Sequence, residues 1–417
     1  MIVRTGQRIL IWGFGRHGGG QAALRWCRAQ GADVAVLDAK PAAAFGAAAE
    51  GIAWHVGDGN HPALQAADLI VASPAIPPRA WPIGHPPRCS PESLFFSAHR
   101  GPRIAITGTK GKSTTAHILA TLLGWEVAGN SYEPLLEVLM RQGVDCPVVC
   151  ELSSFQLWYL GHQPPRMSGA MLTSLASDHL DWHPDILHYQ TTKLALLEWA
   201  DAVVADPTVE LRKGLPLVEP VTCSEGVFRR GGQVLAERAD LPLLGDHNAR
   251  NAALAVAMAM HHGLPAPQIA ERLRLARGLP HRLEYVPARD ARRYLNDSIA
   301  TTPESAMAAL AAIEGPLAVI LGGSDKGVAF ANLAAAVVAR GALPILIGST
   351  APRLAEALAV AGGESIVAGD LTTAFEAARA AIPPGGTVLL SPACASFDQF
   401  QGFEDRGERF RALVRAV

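Results

Sequence analysis

The sequence predicts an α/β protein in which parallel sheets are wrapped by helices. Short apolar runs alternate with alanine-rich helical patterns along the whole chain. Two glycine-rich turns, at residues 13–18 and 108–113, each follow an apolar run and open a helical one. Half of the 417 residues are apolar while only 6% are aromatic, which suits buried strands and alanine-faced helices and does not suit disorder. At about 100–200 residues per domain, two to four domains are expected.

The elements follow in order. Residues 9–12 read as a strand and 21–30 as a helix, and a second strand over 34–37 ends at Asp38. Residues 68–73 form a further apolar run. The proline-rich passage 74–91 reads as a linker. A second block opens with the apolar run before Gly108 and a helical pattern over 116–123. It continues with strands at 147–150, 170–175 and 202–205 and helices near 186–200 and 248–262. Gly278-Leu279-Pro280-His281-Arg282 interrupts the helical pattern and marks a boundary. Beyond it, strands at 317–321, 344–347 and 387–390 alternate with helices, as right-handed crossovers between parallel strands require.

Bulk charge excludes some classes of function. The 36 Lys and Arg against 38 Asp and Glu leave no basic field for nucleic acid or an anionic membrane, so anion recognition must be local. The six cysteines are scattered without a CxxC pair, which points to buried free thiols in a reducing compartment. No apolar run reaches the ~18 residues that span a bilayer, and no leader pattern opens the chain. A cytoplasmic monomer without nucleic-acid partners or membrane insertion is expected.

The segment Gly108-Thr109-Lys110-Gly111-Lys112-Ser113-Thr114 carries the strongest chemistry. Glycines turn the backbone so that N–H groups converge on an anion, the helix start adds positive partial charge, and Lys112 adds a full one. The hydroxyl after the lysine suits Mg²⁺. Strict Walker spacing fails, because Ile106 stands where the first glycine belongs. Gly13-Phe14-Gly15-Arg16-His17-Gly18 is a GxGxxG turn with Asp38 twenty residues past its last glycine. That arrangement holds a diphosphate and a ribose, in NAD or in a UDP-sugar. Packing of helix on strand is the ordinary alternative for such a turn.

Three further clusters stand out. Glu151 follows an apolar strand directly, where a carboxylate beside a phosphate loop can ligate Mg²⁺. Asp178-His179-Leu180-Asp181-Trp182-His183 sets two histidines at i,i+4, which on a helix would suggest zinc, although no cysteine or HExxH accompanies them. A single His at Mg²⁺ or at an amino-acid substrate fits better. Tyr189 and Lys193 lie on one helical face. Asn248 and Asn251 open a helix, as capping residues or as readers of a base edge.

In order along the chain, these residues resemble the Mur ligases, the ATP-dependent amino-acid-adding enzymes of peptidoglycan synthesis. The likeness also runs through Ser73-Pro74-Ala75-Ile76-Pro77, Gly129-Asn130, Glu151-Leu152-Ser153-Ser154-Phe155-Gln156-Leu157, Asn296-Asp297-Ser298 and Ser391-Pro392-Ala393-Cys394-Ala395-Ser396-Phe397-Asp398-Gln399-Phe400, ending at Arg406-Gly407. It implies three domains: a Rossmann-like UDP-substrate domain over 1–100, a P-loop ATP domain over 101–282 and a Rossmann-like amino-acid domain over 283–417. It also implies addition of D-glutamate to UDP-N-acetylmuramoyl-L-alanine through an acyl phosphate.

By this resemblance, Lys112 contacts the ATP phosphates, Ser113 and Glu151 serve Mg²⁺, His179 sits at a second Mg²⁺, and Lys193 is carbamylated. Asn130, Asn248, Asn251, Arg282 and Asp297 complete the ATP site. Gly15, Arg16, His17, Asp38 and Ser73 match the UDP pocket, and Thr301, Lys326, Ser396 and Phe403 the glutamate site. The chain departs from the family where Ile299 replaces a frequent lysine, where Ser131-Tyr132 follows Asn130 in place of Ile-Gly, and at Ala205-Asp206-Pro207. An L-glutamate-adding relative would keep every motif. A folate polyglutamate synthase would not share residues 151–157, and a NAD-dependent dehydrogenase would leave the phosphate loop unexplained.

Overall fold

A computed structural model describes residues 3–15, 18–325 and 327–417. Arg16, His17 and Lys326 lie outside the described residues. The chain divides into two compact units, Met1–Leu241 with Arg250–Ala276 and Pro242–Ala249 with Arg277–Val417.

The first unit contains two five-stranded parallel sheets. One runs in the order Ala53–Val56, Asp33–Asp38, Arg8–Trp12, Leu69–Ala72, Arg88–Cys89. The other runs Val203–Ala205, Gly169–Leu172, Arg103–Thr107, Val148–Glu151, Glu126–Gly129. Their inner strands are buried along most of their length, which is why they read as unbroken apolar runs. One continuous core joins residues of both sheets, from Ile9, Val34 and Phe95 to Val148, Cys150 and Leu172.

The passage 74–91 is more than a linker. It contains the edge strand Arg88–Cys89 and packs on the helix Ser154–Leu160. The Arg88 guanidinium lies 4.5 Å from the Trp81 ring centroid and 5.0 Å from that of Trp158. The Tyr159 hydroxyl donates to the Ile76 carbonyl at 2.9 Å and accepts from Trp81 Nε1 at 3.1 Å. Prolines here set the path of a segment that is clamped by aromatic rings.

A three-stranded antiparallel sheet, Thr222–Ser224, Val227–Arg230 and Gln233–Glu237, was not anticipated. Its signal is local: Glu225 and Gly226 both have positive φ, at 51° and 74°, as a tight two-residue hairpin turn requires. In the second unit a six-stranded sheet runs Glu284–Val286, Arg293–Asn296, Thr387–Leu390, Leu317–Gly322, Leu343–Ile347, Ile366–Gly369. Only its first strand is antiparallel. Four cysteines are buried and two, Cys146 and Cys223, are partly exposed; all six are free. Among the described residues, no helix is long and apolar enough to cross a membrane.

The helix Gly19–Ala29 meets the first glycine turn so closely that a Cβ on Gly20 would run into the Phe14 carbonyl, whereas one on Gly19 would meet nothing. Gly20→Ala is therefore expected to lower unfolding free energy by about 1–3 kcal/mol through overpacking. Gly19→Ala is expected to be neutral or stabilising. Urea denaturation of both variants checks this, and equal stabilities would contradict the packing account.

Candidate active site

The central strand Arg103–Thr107 delivers the chain to the phosphate loop, and the helix Lys112–Leu123 leaves it. Gly111 caps that helix with φ 86°, and a Cβ there would stand 2.6 Å from Asn251 Oδ1. Both conditions demand glycine. Neighbouring segments hold the loop in shape. Thr109 N donates to the Ser174 carbonyl at 3.0 Å and Lys110 N to Ser174 Oγ at 2.8 Å. Thr109 Oγ1 lies 3.0 Å from the Tyr189 hydroxyl. Lys112 Nζ donates to the carbonyls of Gly108 at 2.9 Å and Thr109 at 3.2 Å, so the cation is folded over the loop. Ser113 and Thr114 are buried in the first turn of the helix.

Glu151 ends the adjacent strand with no exposed surface. Its Oε1 accepts from Ser113 Oγ at 3.2 Å, Asn130 Nδ2 at 3.1 Å and Ser131 Oγ at 3.1 Å. Its Oε2 is buried without a hydrogen-bond partner. A buried carboxylate oxygen with no donor is costly unless something else supplies positive charge. Among the described residues, no three His, Cys, Asp or Glu side chains converge as a metal centre. The oxygen donors available, Glu151 Oε2 and Ser113 Oγ, suit a hard cation whose remaining ligands come from phosphate and water.

Lys193 points into the same loop. Only 2% of it is exposed, and its Nζ donates to the Gly108 carbonyl at 3.0 Å and lies 4.8 Å from the Tyr189 ring centroid. Burial, and next the Lys112 charge, pull its pKa down to about 7 against the opposing pull of Asp178 and Glu151. Burial thus favours the neutral form of this amine.

His179 and His183 do not share a helix face. Residues 173–185 form an irregular segment, and the next helix, Ile186–Glu198, starts after them with Asp185 as its cap. His179 is exposed, with φ 54°, and its ring lies 4.8 Å from that of Phe155. His183 is buried and already partnered, its Nε2 2.9 Å from Ser154 Oγ and its Nδ1 2.8 Å from His188 Nδ1. Burial and the neighbouring His188 lower its pKa to about 4. It holds the segment rather than facing a ligand. Sequence reasoning also missed Glu92, a buried carboxyl that accepts from Gln156 Nε2 at 2.8 Å while Gln156 closes the capping box with Ser153. Burial pushes the Glu92 carboxyl up.

Around the first glycine turn, Asp38 accepts from Phe14 N at 2.8 Å and from Lys40 N at 2.9 Å, so backbone donors aim its carboxylate. Ser73 packs against Gly13, and Gly15 has φ 67°. Asp38 and Ser73 thus both border the glycine turn that contains Gly15.

In the second unit, Asp297 is buried and accepts from Ser391 Oγ at 2.7 Å and Leu283 N at 3.1 Å. Burial raises its pKa to about 6, against the opposing Ser391 and Leu283 hydrogen bonds and the Arg282 charge. The Arg282 Nε is buried without a hydrogen-bond partner. Asn248 is occupied locally, donating to the Leu244 carbonyl at 2.8 Å. Ser396 is buried, Thr301 is half-buried just before the helix Pro303–Ala311, and Phe403 opens the last helix with its ring 6.2 Å from that of His281. The fully buried Arg406 ties these loops together. Its guanidinium donates to Ser298 Oγ at 2.9 Å, the Ser298 carbonyl at 2.7 Å and the Cys394 carbonyl at 3.1 Å. Burial lowers its pKa to about 10.

Known proteins resemble this chain along its whole length. Residues 106–206 match the Mur ligase middle domain, and residues 281–394 match the glutamate ligase domain of Mur ligases. The UDP-N-acetylmuramoylalanine--D-glutamate ligase of Roseiflexus sp. (strain RS-1) is 34% identical, the match covering 99% of each chain. The UDP-N-acetylmuramoyl-L-alanine--L-glutamate ligase of Xanthomonas axonopodis pv. citri is also 34% identical, over 98% of this chain and 95% of that one. The UDP-N-acetylmuramate-alanine ligase of Thermotoga maritima shares the fold, with a TM-score of 0.63 at 18% identity over 97% of this chain and 98% of that one. With both domain models matched and relatives of this identity along its whole length, the chain belongs to the Mur ligase family.

Proposed function

We propose that this chain joins D-glutamate to the alanyl carboxylate of UDP-N-acetylmuramoyl-L-alanine, with ATP cleaved to ADP and phosphate. The observation that carries the reading is the buried Glu151, whose Oε2 has no partner beside a phosphate loop and two lysines. Residues 1–100 are assigned to the UDP substrate, 101–282 to ATP and 283–417 to glutamate. Asp38, Gly15 and Ser73, with Arg16 and His17, serve the first; Thr301, Lys326, Ser396 and Phe403 serve the last.

In the first step the substrate carboxylate attacks the γ-phosphorus and ADP leaves. The loop amides and Lys112 offset the charge on the phosphoryl group in transfer. Ser113 and Glu151 would hold Mg²⁺, which when bound adds Lewis-acid stabilisation at the phosphates. The glutamate amine then attacks the acyl phosphate, its N–C bond forms, phosphate leaves, and the amine proton passes to a base, with His179 as a candidate. Lys193 in its neutral form can add CO₂, forming an N–C bond and releasing a proton, which converts a buried amine into an anionic carbamate. Asn130, Asn248, Asn251, Arg282 and Asp297 are assigned to the nucleotide. The second reading, transfer of L-glutamate, is favoured by the equal identity of a relative named for that substrate.

Two measurements test this. Phosphate release in the presence of ATP, UDP-N-acetylmuramoyl-L-alanine and D-glutamate, L-glutamate or meso-diaminopimelate in parallel is expected to be stimulated by D-glutamate; stimulation by L-glutamate alone selects the second reading, and by neither removes both. Lys193→Ala is expected to lose on the order of 10²–10³ in kcat, with recovery in short carboxylic acids. Undiminished turnover would remove the carbamate.

Asp297 supplies a pH test. Between pH 3.8 and about 6 its folded form keeps a proton that the unfolded chain has lost. Its contribution to stability is thus fully present below pH 3.8 and is lost as pH rises through about 6. Asp297→Asn, which keeps neutral hydrogen bonding, is expected to gain on wild type by about 2–3 kcal/mol between pH 4 and pH 7. Parallel stability–pH curves would contradict the burial argument.

A further inference from the structure

Ser131 and Tyr132 lie outside every role assigned so far, yet both side chains reach the phosphate loop. They follow the strand Glu126–Gly129, whose last residue pairs with Glu151 across the sheet. The turn is tied to the ends of both strands, because Asn130 N donates to the Glu151 carbonyl at 3.0 Å and Tyr132 N to the Gly129 carbonyl at 2.8 Å. From this turn the Ser131 hydroxyl donates to Glu151 Oε1 at 3.1 Å and accepts from Asn130 Nδ2 at 3.2 Å. It also lies 3.3 Å from Ser113 Oγ. The Tyr132 hydroxyl donates to the Ser113 carbonyl at 2.6 Å.

We propose that Ser131 and Tyr132 are positioning residues for the cation site: Ser131 fixes Glu151 through Oε1, and Tyr132 fixes Ser113 through its carbonyl. With Oε1 supplied by three donors, the carboxylate cannot rotate without breaking them. The buried, unpartnered Oε2 is then the oxygen presented to a hard cation. Ser113 donates its single proton to Glu151 Oε1, which leaves its oxygen lone pairs available to a cation. The inference rests on the reading of this loop as a Mg²⁺–nucleotide site.

The test is Mn²⁺ affinity of the full-length protein with saturating ADP, measured by electron paramagnetic resonance, alongside ADP affinity in EDTA by calorimetry. Ser131→Ala is expected to weaken Mn²⁺ on the order of tenfold while leaving metal-free ADP binding unchanged. Ser131→Thr, which keeps the hydroxyl, is expected to retain wild-type Mn²⁺ affinity, and Tyr132→Phe to weaken it. Unchanged Mn²⁺ affinity in Ser131→Ala, or an equal loss of metal-free ADP binding, overturns the proposal. A wild-type protein whose ADP binding ignores Mn²⁺ would instead overturn the reading of the site itself.

Discussion

A carboxylate with no exposed surface has to be matched by donors or by positive charge, and Glu151 is matched on one oxygen only. Much of the first unit's architecture bears on that imbalance. The strand that ends at Glu151 lies beside the one that feeds the phosphate loop, so the carboxylate and the loop leave the sheet at the same end. Parallel α/β sheets gather ligand chemistry at that end because every strand finishes there and every helix starts there. The loop brings Lys112, the helix Ile186–Glu198 brings Lys193, and the turn after Gly129 brings Asn130 and Ser131. Two amines, of which Lys193 is buried, and one buried half-satisfied carboxylate form a site poised for a polyanion and its cation.

The surrounding packing keeps these groups from drifting. The helix Ser154–Leu160 begins three residues past Glu151 and is held from both sides, by Glu92 through Gln156 and by His183 through Ser154. The Arg88 guanidinium between Trp81 and Trp158, and the Tyr159 bond to Ile76, fasten the proline-rich passage to the same helix. In the second unit Arg406 plays a comparable part, since its buried guanidinium joins Ser298 to the Cys394 carbonyl. Removing a partner from such a network leaves a buried charge uncompensated, which is why these contacts act as fixtures.

How much of this was readable from the sequence depends on the range of the interaction. Buried parallel strands announce themselves as apolar runs, and the glycine turns carry their backbone demands locally, so the sheets and the phosphate loop were legible. The three-stranded antiparallel sheet was passed over because its strands are short and partly exposed, although Glu225-Gly226 marks its hairpin. The spacing of His179 and His183 suggested a shared helix face, but Asp185 caps the helix only after both. The contacts of Glu92 and Ser131 were hidden for another reason. Their meaning lies in contacts to Gln156 and Glu151, made across 64 and 20 residues of chain, and no local pattern encodes a partner at that distance. Ser131 and Tyr132 stood out in sequence only as a departure from the family pattern, and their hydroxyl contacts give that departure physical content.

The proposed chemistry has one direct signature, because an acyl phosphate moves an oxygen atom from the substrate carboxylate into inorganic phosphate. The decisive measurement uses UDP-N-acetylmuramoyl-L-alanine labelled with ¹⁸O in its alanyl carboxylate, turned over with ATP and D-glutamate, and phosphate analysed by mass spectrometry. One ¹⁸O in each phosphate is the predicted result. Unlabelled phosphate released together with amide product would contradict carboxylate activation at this site.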